Sequence, residues 1–390
     1  MTPAARHAAA IEILDDWLAG GALEQVLTRW ARGNRFAGSK DRAAIRDIVY
    51  DAVRCRRSFA ALGGSETGRG LVIGGLRAGG LDPATLFTGE GYAPLPLTEE
   101  EMQPPDVATL PEAVRMDLPD WLMEPLRASL GDDLAPVAET LRHRAPVHLR
   151  VNIARIGRAA AIEMLAGDGV RAEPNALSET ALTVTEGARR VHLGRAYRDG
   201  LVELQDAASQ AVVDMLGVYP GCTVLDYCAG GGGKALALAA RGAHVTAHDI
   251  DPRRMSDLPG RADRAGVNIE IAPPDAVNGL FDLVLADAPC SGSGSWRRAP
   301  QGKWSLSEAS LGSLQSTQAD ILDRIAGFVS SAGRIAYATC SLLDAENDEQ
   351  IAAFLARNGD WHVEARRRFT PLDGGDGFFI ATLARAHNLR

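Results

Sequence analysis

Two cysteines stand among small or polar neighbours, in Asp287-Ala288-Pro289-Cys290-Ser291-Gly292-Ser293-Gly294 and in Tyr337-Ala338-Thr339-Cys340-Ser341. Each segment follows an apolar run of strand character, so each thiol is expected where a strand gives way to a loop. A free cysteine is most often a small buried hydrophobe; that suits Cys55, Cys222 and Cys228 and suits Cys290 and Cys340 poorly. A third segment, Leu225-Asp226-Tyr227-Cys228-Ala229-Gly230-Gly231-Gly232-Gly233-Lys234, ends a strand in a carboxylate and enters a helix through a run of glycines. Glycines let backbone N–H groups approach a ligand closely and adopt positive φ. Ala235 occupies the position where a Walker loop needs Ser or Thr for magnesium, which argues against a nucleoside triphosphatase. The Gly-x-Gly-x-x-Gly of a dinucleotide site is only partly met. A nucleoside cofactor without phosphates, such as S-adenosylmethionine, is the third reading. Asp249 falls at the end of the next strand, where a carboxylate can accept both ribose hydroxyls. Asp275 follows a third strand, near where an adenine edge would lie.

Two thiols, a carboxylate and a methyl donor fit methylation of a cytosine at C5. That carbon is a weak nucleophile until a thiolate adds to C6 and makes it enamine-like. A proton must then leave C5 before the thiol is eliminated, so one thiol attacks, a second group assists release, and an acid near N3 or N4 supports both steps. Asp287 is suited to hydrogen-bond the base edge, and a nearby Arg or Lys would lower a thiol pKa.

The elements that must position these residues alternate from residue 200 onward. Strands are expected at Thr223 to Asp226, His244 to Ala247, Asn268 to Ile271, Asp282 to Ala286, Arg334 to Ala338 and Phe378 to Leu383. Helices are expected at Lys234 to Arg241, Arg253 to Arg264, Leu311 to Val329 and Ala345 to Ala356. That alternation predicts an α/β fold with a doubly wound, mostly parallel sheet. Ligands bind beyond the carboxyl ends of such strands, which places both thiols and the glycine loop at one crevice. Residues 141–199 read as a small α/β module, with strands at Val147 to Val151 and Ala181 to Val184 about a helix at Ala159 to Ala166. It carries Arg150, Arg155, Arg158, Arg189, Arg190 and Arg195. The first 60 residues are helical by spacing, residues 84–112 form an acidic, Pro- and Gly-rich linker or loop, and helical pattern returns from Trp121 to about Arg142.

The chain has 390 residues and a formal charge of −9, which on its face opposes a nucleic-acid partner. The charge is blocky, however: +3 over 1–60, −10 over 61–140, +4 over 141–199 and −6 over 200–390. An acidic bulk does not forbid polyanion binding if basic faces are concentrated. Arg29, Arg32, Arg35, Lys40 and Arg42 lie around the turn between the second and third helices, Arg46 begins the third helix, and Arg54, Arg56 and Arg57 end it. They are expected either on solvated faces or against RNA, as are Arg297, Arg298 and Lys303 beside the thiols. No apolar run is long enough for a membrane helix, and no signal sequence is evident. Five cysteines without Cys-x-x-Cys spacing predict reduced thiols in the cytoplasm and neither a disulfide framework nor a metal site.

Taken together, these residues resemble the RsmB-type (Sun/Fmu, Nop-like) RNA 5-methylcytosine methyltransferases over nearly the whole chain. The resemblance includes residues 200–210 ahead of the glycine loop, both cysteine segments in this order, and Arg297-Arg298-Ala299-Pro300 with Lys303-Trp304. Glu346-Asn347 and Asp376-Gly377-Phe378-Phe379 also match. It implies a class I, Rossmann-like methyltransferase domain over 200–390, a helical NusB-like RNA-binding domain over 1–140 and a small RNA-binding subdomain over 141–199. It implies Cys340 as nucleophile, Cys290 as the aid to release and Asp287 as a further catalytic group. It implies an S-adenosyl-L-methionine pocket lined by Cys228, Ala229, Gly230, Gly231, Gly232, Gly233, Lys234, Asp249, Asp275 and Asp287. The implied partner is RNA, with small-subunit ribosomal RNA favoured over transfer RNA, and the implied state is a monomer. Alternatives are methylation of another acceptor, or a non-enzymatic RNA-binding assembly factor. Two departures stand out: the family loop reads Ala-Pro-Gly-Gly-Lys where this chain has only glycines before Lys234, and Gln301-Gly302 replaces Pro-Asp ahead of Lys303.

Overall fold

The structure, a computed structural model, describes residues 1–103, 105–274 and 277–386. The chain divides into two compact units. One comprises residues 1–144 with 296–305, the other 145–295 with the residues from Leu306 onward. Among the described residues, no helix is long and apolar enough to cross a membrane.

In the helical unit, α1 (Pro3–Leu18), α2 (Leu23–Gly33), α3 (Ser39–Arg54), α4 (Arg56–Gly63) and α5 (Gly68–Ala78) surround one core. Their helical spacing brings Ile13, Leu14, Trp17, Ile45, Val49, Val53, Leu71 and Ile73 together there. The helices run past the sixty residues expected, and Arg56 and Arg57 open α4 instead of closing α3.

The segment 296–305 corrects a larger expectation. Its short helix, Gln301–Ser305, packs in the helical unit. Trp304 joins that unit's core and its indole Nε1 donates to Val53 O at 2.7 Å. Lys303, 1% exposed, donates to Arg54 O at 2.9 Å, and Arg54 donates to Arg297 O at 2.8 Å. Lys303 and Arg297, expected against RNA, are thus interior groups of the helical unit, as is Arg54. Arg56 and Arg57 are likewise engaged, by Glu66 and Asp120. Asp117 lies at the centre of this polar interior with φ +53. Two bonds from Ser58 and one from Arg142 at 2.9 Å hold its carboxylate.

The second unit opens with a four-stranded antiparallel sheet in the order β2-β3-β1-β4. Its strands are β1 (Val147–Val151), β2 (Arg171–Pro174), β3 (Ala181–Glu186) and β4 (Val202–Leu204). The helix Arg158–Gly167 supplies Ala161 and Leu165 to its core. Two strands escaped the sequence reading because β2 is mostly exposed and β4 is three residues long, and β4 carries this sheet past residue 199.

The remaining strands are β5 (Thr223–Asp226), β6 (His244–Ala247), β7 (Ile269–Ile271), β8 (Phe281–Asp287), β9 (Val329–Thr339), β10 (Trp361–Phe369) and β11 (Phe378–Arg385). They form a seven-stranded sheet in the order β10-β11-β9-β8-β5-β6-β7. β7, β6, β5, β8 and β9 pair in parallel, whereas β11 runs antiparallel to both its neighbours. Alternate residues feed opposite faces: Val224, Leu283, Leu285, Ala336 and Ile380 enter one core, and Leu225, Val284, Ala286, Ile335 and Phe379 enter the other. A sheet covered on both sides requires such continuously apolar strands. β10 was not foreseen. It is an edge strand whose middle, Glu364 to Arg367, is charged and exposed, so it lacks a strand's apolar signature.

Candidate active site

The strand order reverses beside β5, and the residues after β5 and β8 lie at that switch point. Past Asp226 the chain is anchored on both sides: Tyr227 N donates to Leu285 O and Ala229 N donates to His248 O, each at 2.8 Å. The Tyr227 and His248 rings stack with centroids 4.4 Å apart. Gly230 (φ +49) and Gly232 (φ +76) are left-handed, and a Cβ on Gly232 would lie 2.2 Å from Leu258 Cδ1. Only glycine meets both demands at residue 232.

Asp249, 1% exposed, accepts from Gly230 N at 2.9 Å and from Asp251 N at 3.0 Å, and pairs with Arg254 at 3.1 Å. It therefore fastens the glycine loop to the end of β6. The far end of the loop is fastened from the small sheet, where buried Arg150 donates to Gly233 O and to Gln205 Oε1. Burial lowers the Arg150 pKa to about 10. This arginine, carried by the module expected to bind RNA, is part of the scaffold. So is Arg155, which donates to Asp199 O and Arg264 O.

Asp226 is buried, and neither of its oxygens has a hydrogen-bond partner. Burial, with the charge of Asp287 in second place, raises its pKa to about 7. Lys234 Nζ lies 2.6 Å from Asp287 Oδ2 and 5.0 Å from the centre of the Phe378 ring. Burial also pushes the Cys228 thiol up, so it stays protonated. Asp275 lies outside the described residues.

The thiols meet because of strand register. Asp287 pairs with Ala338 across the parallel β8–β9 ladder, and Ala288 N donates to Ala338 O at 2.8 Å. Cys290 and Cys340 leave the sheet a few residues later on the same side, with their Sγ atoms 3.4 Å apart and both thiols free. Two thiolates at that separation would repel strongly, so the pair carries at most one negative charge near neutral pH. The hydrogen bond to Cys340, together with burial, holds the Cys290 thiol well above its ordinary value.

Glu346, to which the sequence alone assigns no role, sets the two loops. Fully buried, it accepts from Ser291 N at 2.8 Å, from Gln318 Nε2 at 3.0 Å, and from the Ser291 and Ser341 hydroxyls at 2.5 Å. Gln318 also donates to Pro289 O at 2.9 Å. Asn347 Nδ2 donates to Ser341 O, and Asn347 Oδ1 accepts from the Thr339 hydroxyl. Each thiol is thereby flanked by residues tied to Glu346 or its neighbour. Behind them, a Cβ on Gly294 would lie 2.1 Å from Gly377 O, so the cysteine loop and the start of β11 touch backbone to backbone.

The crevice fits S-adenosylmethionine better than a phosphate-bearing nucleotide. Asp226, Asp249 and Asp287 ring the glycine loop, a set of acceptors that repels phosphate and suits ribose hydroxyls and a cationic sulfonium and ammonium. Asp226 offers oxygens that have no protein partner.

The seven-stranded sheet with its antiparallel β11 and glycine loop at the switch point defines a class I methyltransferase. A family model described as 16S rRNA methyltransferase RsmB/F matches residues 213–384, and one described as the RsmF/B-like ferredoxin-like domain matches residues 118–191. Ribosomal RNA small subunit methyltransferase B of Serratia proteamaculans is 32% identical over 284 residues, 68% of this chain and 66% of that protein. Its counterpart in Yersinia pseudotuberculosis is 32% identical over 306 residues, 73% and 71% of the two chains. The matched region thus spans about two thirds of the Serratia relative. The crystal structure of PH0851 superposes with a TM-score of 0.78 at 22% identity, covering 99% of both chains. The chain belongs to the RsmB/F family of methyltransferases.

Proposed function

We propose that the chain is an S-adenosylmethionine-dependent RNA cytosine-C5 methyltransferase acting on small-subunit ribosomal RNA in the cytoplasm. The observation that carries this reading is the pair of free thiols 3.4 Å apart beside the glycine loop and the Lys234–Asp287 pair. The names of the relatives favour ribosomal RNA as the acceptor.

Residues Cys228 to Lys234, Asp249 and Asp287 hold the cofactor, and Asp275 joins them. When bound, S-adenosylmethionine supplies an electrophilic methyl group. Cys340 is the nucleophile that adds to cytosine C6, its thiolate stabilised by the remaining S–H of Cys290. Asp287, held by Lys234, hydrogen-bonds the N3–N4 edge and orients the base. C5, made nucleophilic, takes the methyl group from the sulfonium carbon–sulfur bond and S-adenosylhomocysteine is left; the C5 proton then passes to water with the assistance of Cys290, and the electron pair it leaves expels the Cys340 thiolate and restores the aromatic base. The base must be unstacked to enter, so the substrate is a single-stranded or loop segment. The helical unit and the small sheet serve as RNA-binding domains.

The test is mass spectrometry of nucleosides from ribosomal RNA incubated with the chain and isotopically labelled donor. Label in 5-methylcytidine is expected; label in another nucleoside, or in protein, overturns the reading.

A further inference from the structure

The turn joining α2 and α3 carries features that the proposed chemistry does not use. A cleft of about 570 Å³ lies between these helices, lined in part by Trp30, Arg32, Arg35, Arg42 and Arg46. Arg29 and Arg46 are neutralised by Asp16 and Glu24. Arg32, Arg35 and Arg42, all exposed, have no ion pair or side-chain hydrogen bond among the described residues. The Trp30 indole N–H is buried without an acceptor. In the turn itself, closed by Ala37 N donating to Asn34 O at 3.1 Å, Phe36 is 72% exposed.

An exposed aromatic ring alone is ordinary. An exposed ring among unneutralised guanidinium groups, beside a cleft with a buried and unsatisfied donor, is a different matter. Single-stranded nucleic acid is bound by this combination: cations track the phosphates while bases stack on an aromatic face. Screening over roughly 8–10 Å keeps the patch positive despite the chain's charge of −9. An acidic peptide would satisfy the cations but would leave the ring unused.

We propose that the α2–α3 cleft binds single-stranded RNA, with Phe36 stacking on a base and Arg32, Arg35 and Arg42 contacting phosphates. This site deepens the RNA-methyltransferase reading and rests on it, because it gives the substrate a second anchor on the helical unit.

The test is fluorescence anisotropy with the full chain and a labelled single-stranded RNA of about twelve nucleotides, beside a duplex of equal length. Phe36→Ala is expected to weaken single-strand binding about 5- to 100-fold, and Phe36→Trp to restore it. Arg35→Gln and Arg42→Gln should each lower the salt slope by about 0.7. These groups are on the surface, so melting temperatures should be unchanged. Wild-type binding in all these variants, or stronger competition by polyglutamate than by unlabelled RNA, overturns the site. Methyl-transfer kinetics separate the two readings: Phe36→Ala should raise KM for RNA and leave kcat unchanged. Methylation of RNA with unaltered KM removes the cleft alone. Failure of the wild-type chain to methylate RNA removes the functional reading, while anisotropy still decides the cleft.

Discussion

Lys234 and Asp287, fifty-three positions apart in sequence, close to 2.6 Å and join the glycine loop to the loop that follows β8. The lysine side chain is 6% exposed and that of the aspartate 33%, so the cation depends on this one carboxylate far more than the reverse. Asp287→Ala should strand a nearly buried ammonium and cost about 2–3 kcal/mol of stability. Lys234→Met, which removes the charge as well as the contact, should cost less. Chemical denaturation of the two variants checks the order, and greater loss in Lys234→Met would contradict it.

The thiol pair predicts opposite outcomes for two similar substitutions. Cys340→Ala should abolish the denaturant-stable protein–RNA adduct and lower methyl transfer by about 10³-fold or more. Cys290→Ala should still form the adduct and accumulate it, because release is impaired. A denaturing gel with labelled RNA reads both; accumulation in the Cys340 variant would reverse the roles.

Glu346 holds both cysteine loops from beneath. Glu346→Gln puts a donor where only acceptors fit and should leave Ser291 N or a hydroxyl unsatisfied, at about 1–3 kcal/mol. Thermal melting should show that loss, and methyl transfer should fall with kcat changing more than KM, since the thiols are misplaced while RNA contacts remain. An unchanged kcat would confine Glu346 to stability.

Two buried groups give pH dependences of opposite sign. The Asp226 pKa is raised from 3.8 to about 7, so between those values the native chain binds more protons than the unfolded one. Stability therefore falls as pH rises through that window, and Asp226→Asn should flatten the slope. The Lys303 pKa is lowered from 10.5 to about 8, chiefly by burial, so between those values the native chain binds fewer protons. Stability from this group therefore rises with pH above about 8, and Lys303→Met should remove that rise. Urea midpoints across pH 4–10 measure both.

The parts legible in the sequence were those whose chemistry and position coincide. The glycine run, the strand-end aspartates and the two cysteine segments announced a crevice because motif and apolar periodicity agree there. Lys303 and Arg150 were misread for one physical reason: a basic residue reads as surface, and nothing local shows that a backbone carbonyl far along the chain awaits it. Glu346 was visible only through its match to a family segment, since its partners Ser291 and Gln318 are distant in sequence. β10 was hidden because its exposed middle is charged.

The short helix Gln301–Ser305 has a consequence for the order of events during synthesis. The core of the helical unit is not complete until Trp304 arrives, when roughly three quarters of the chain has left the ribosome, so the first domain made is not the first domain finished. Until then Val53 O and Arg54 O lack the donors that Trp304 and Lys303 bring. A nascent chain halted before residue 296 should expose that incomplete core to proteases and chaperones, whereas one released after residue 305 should not.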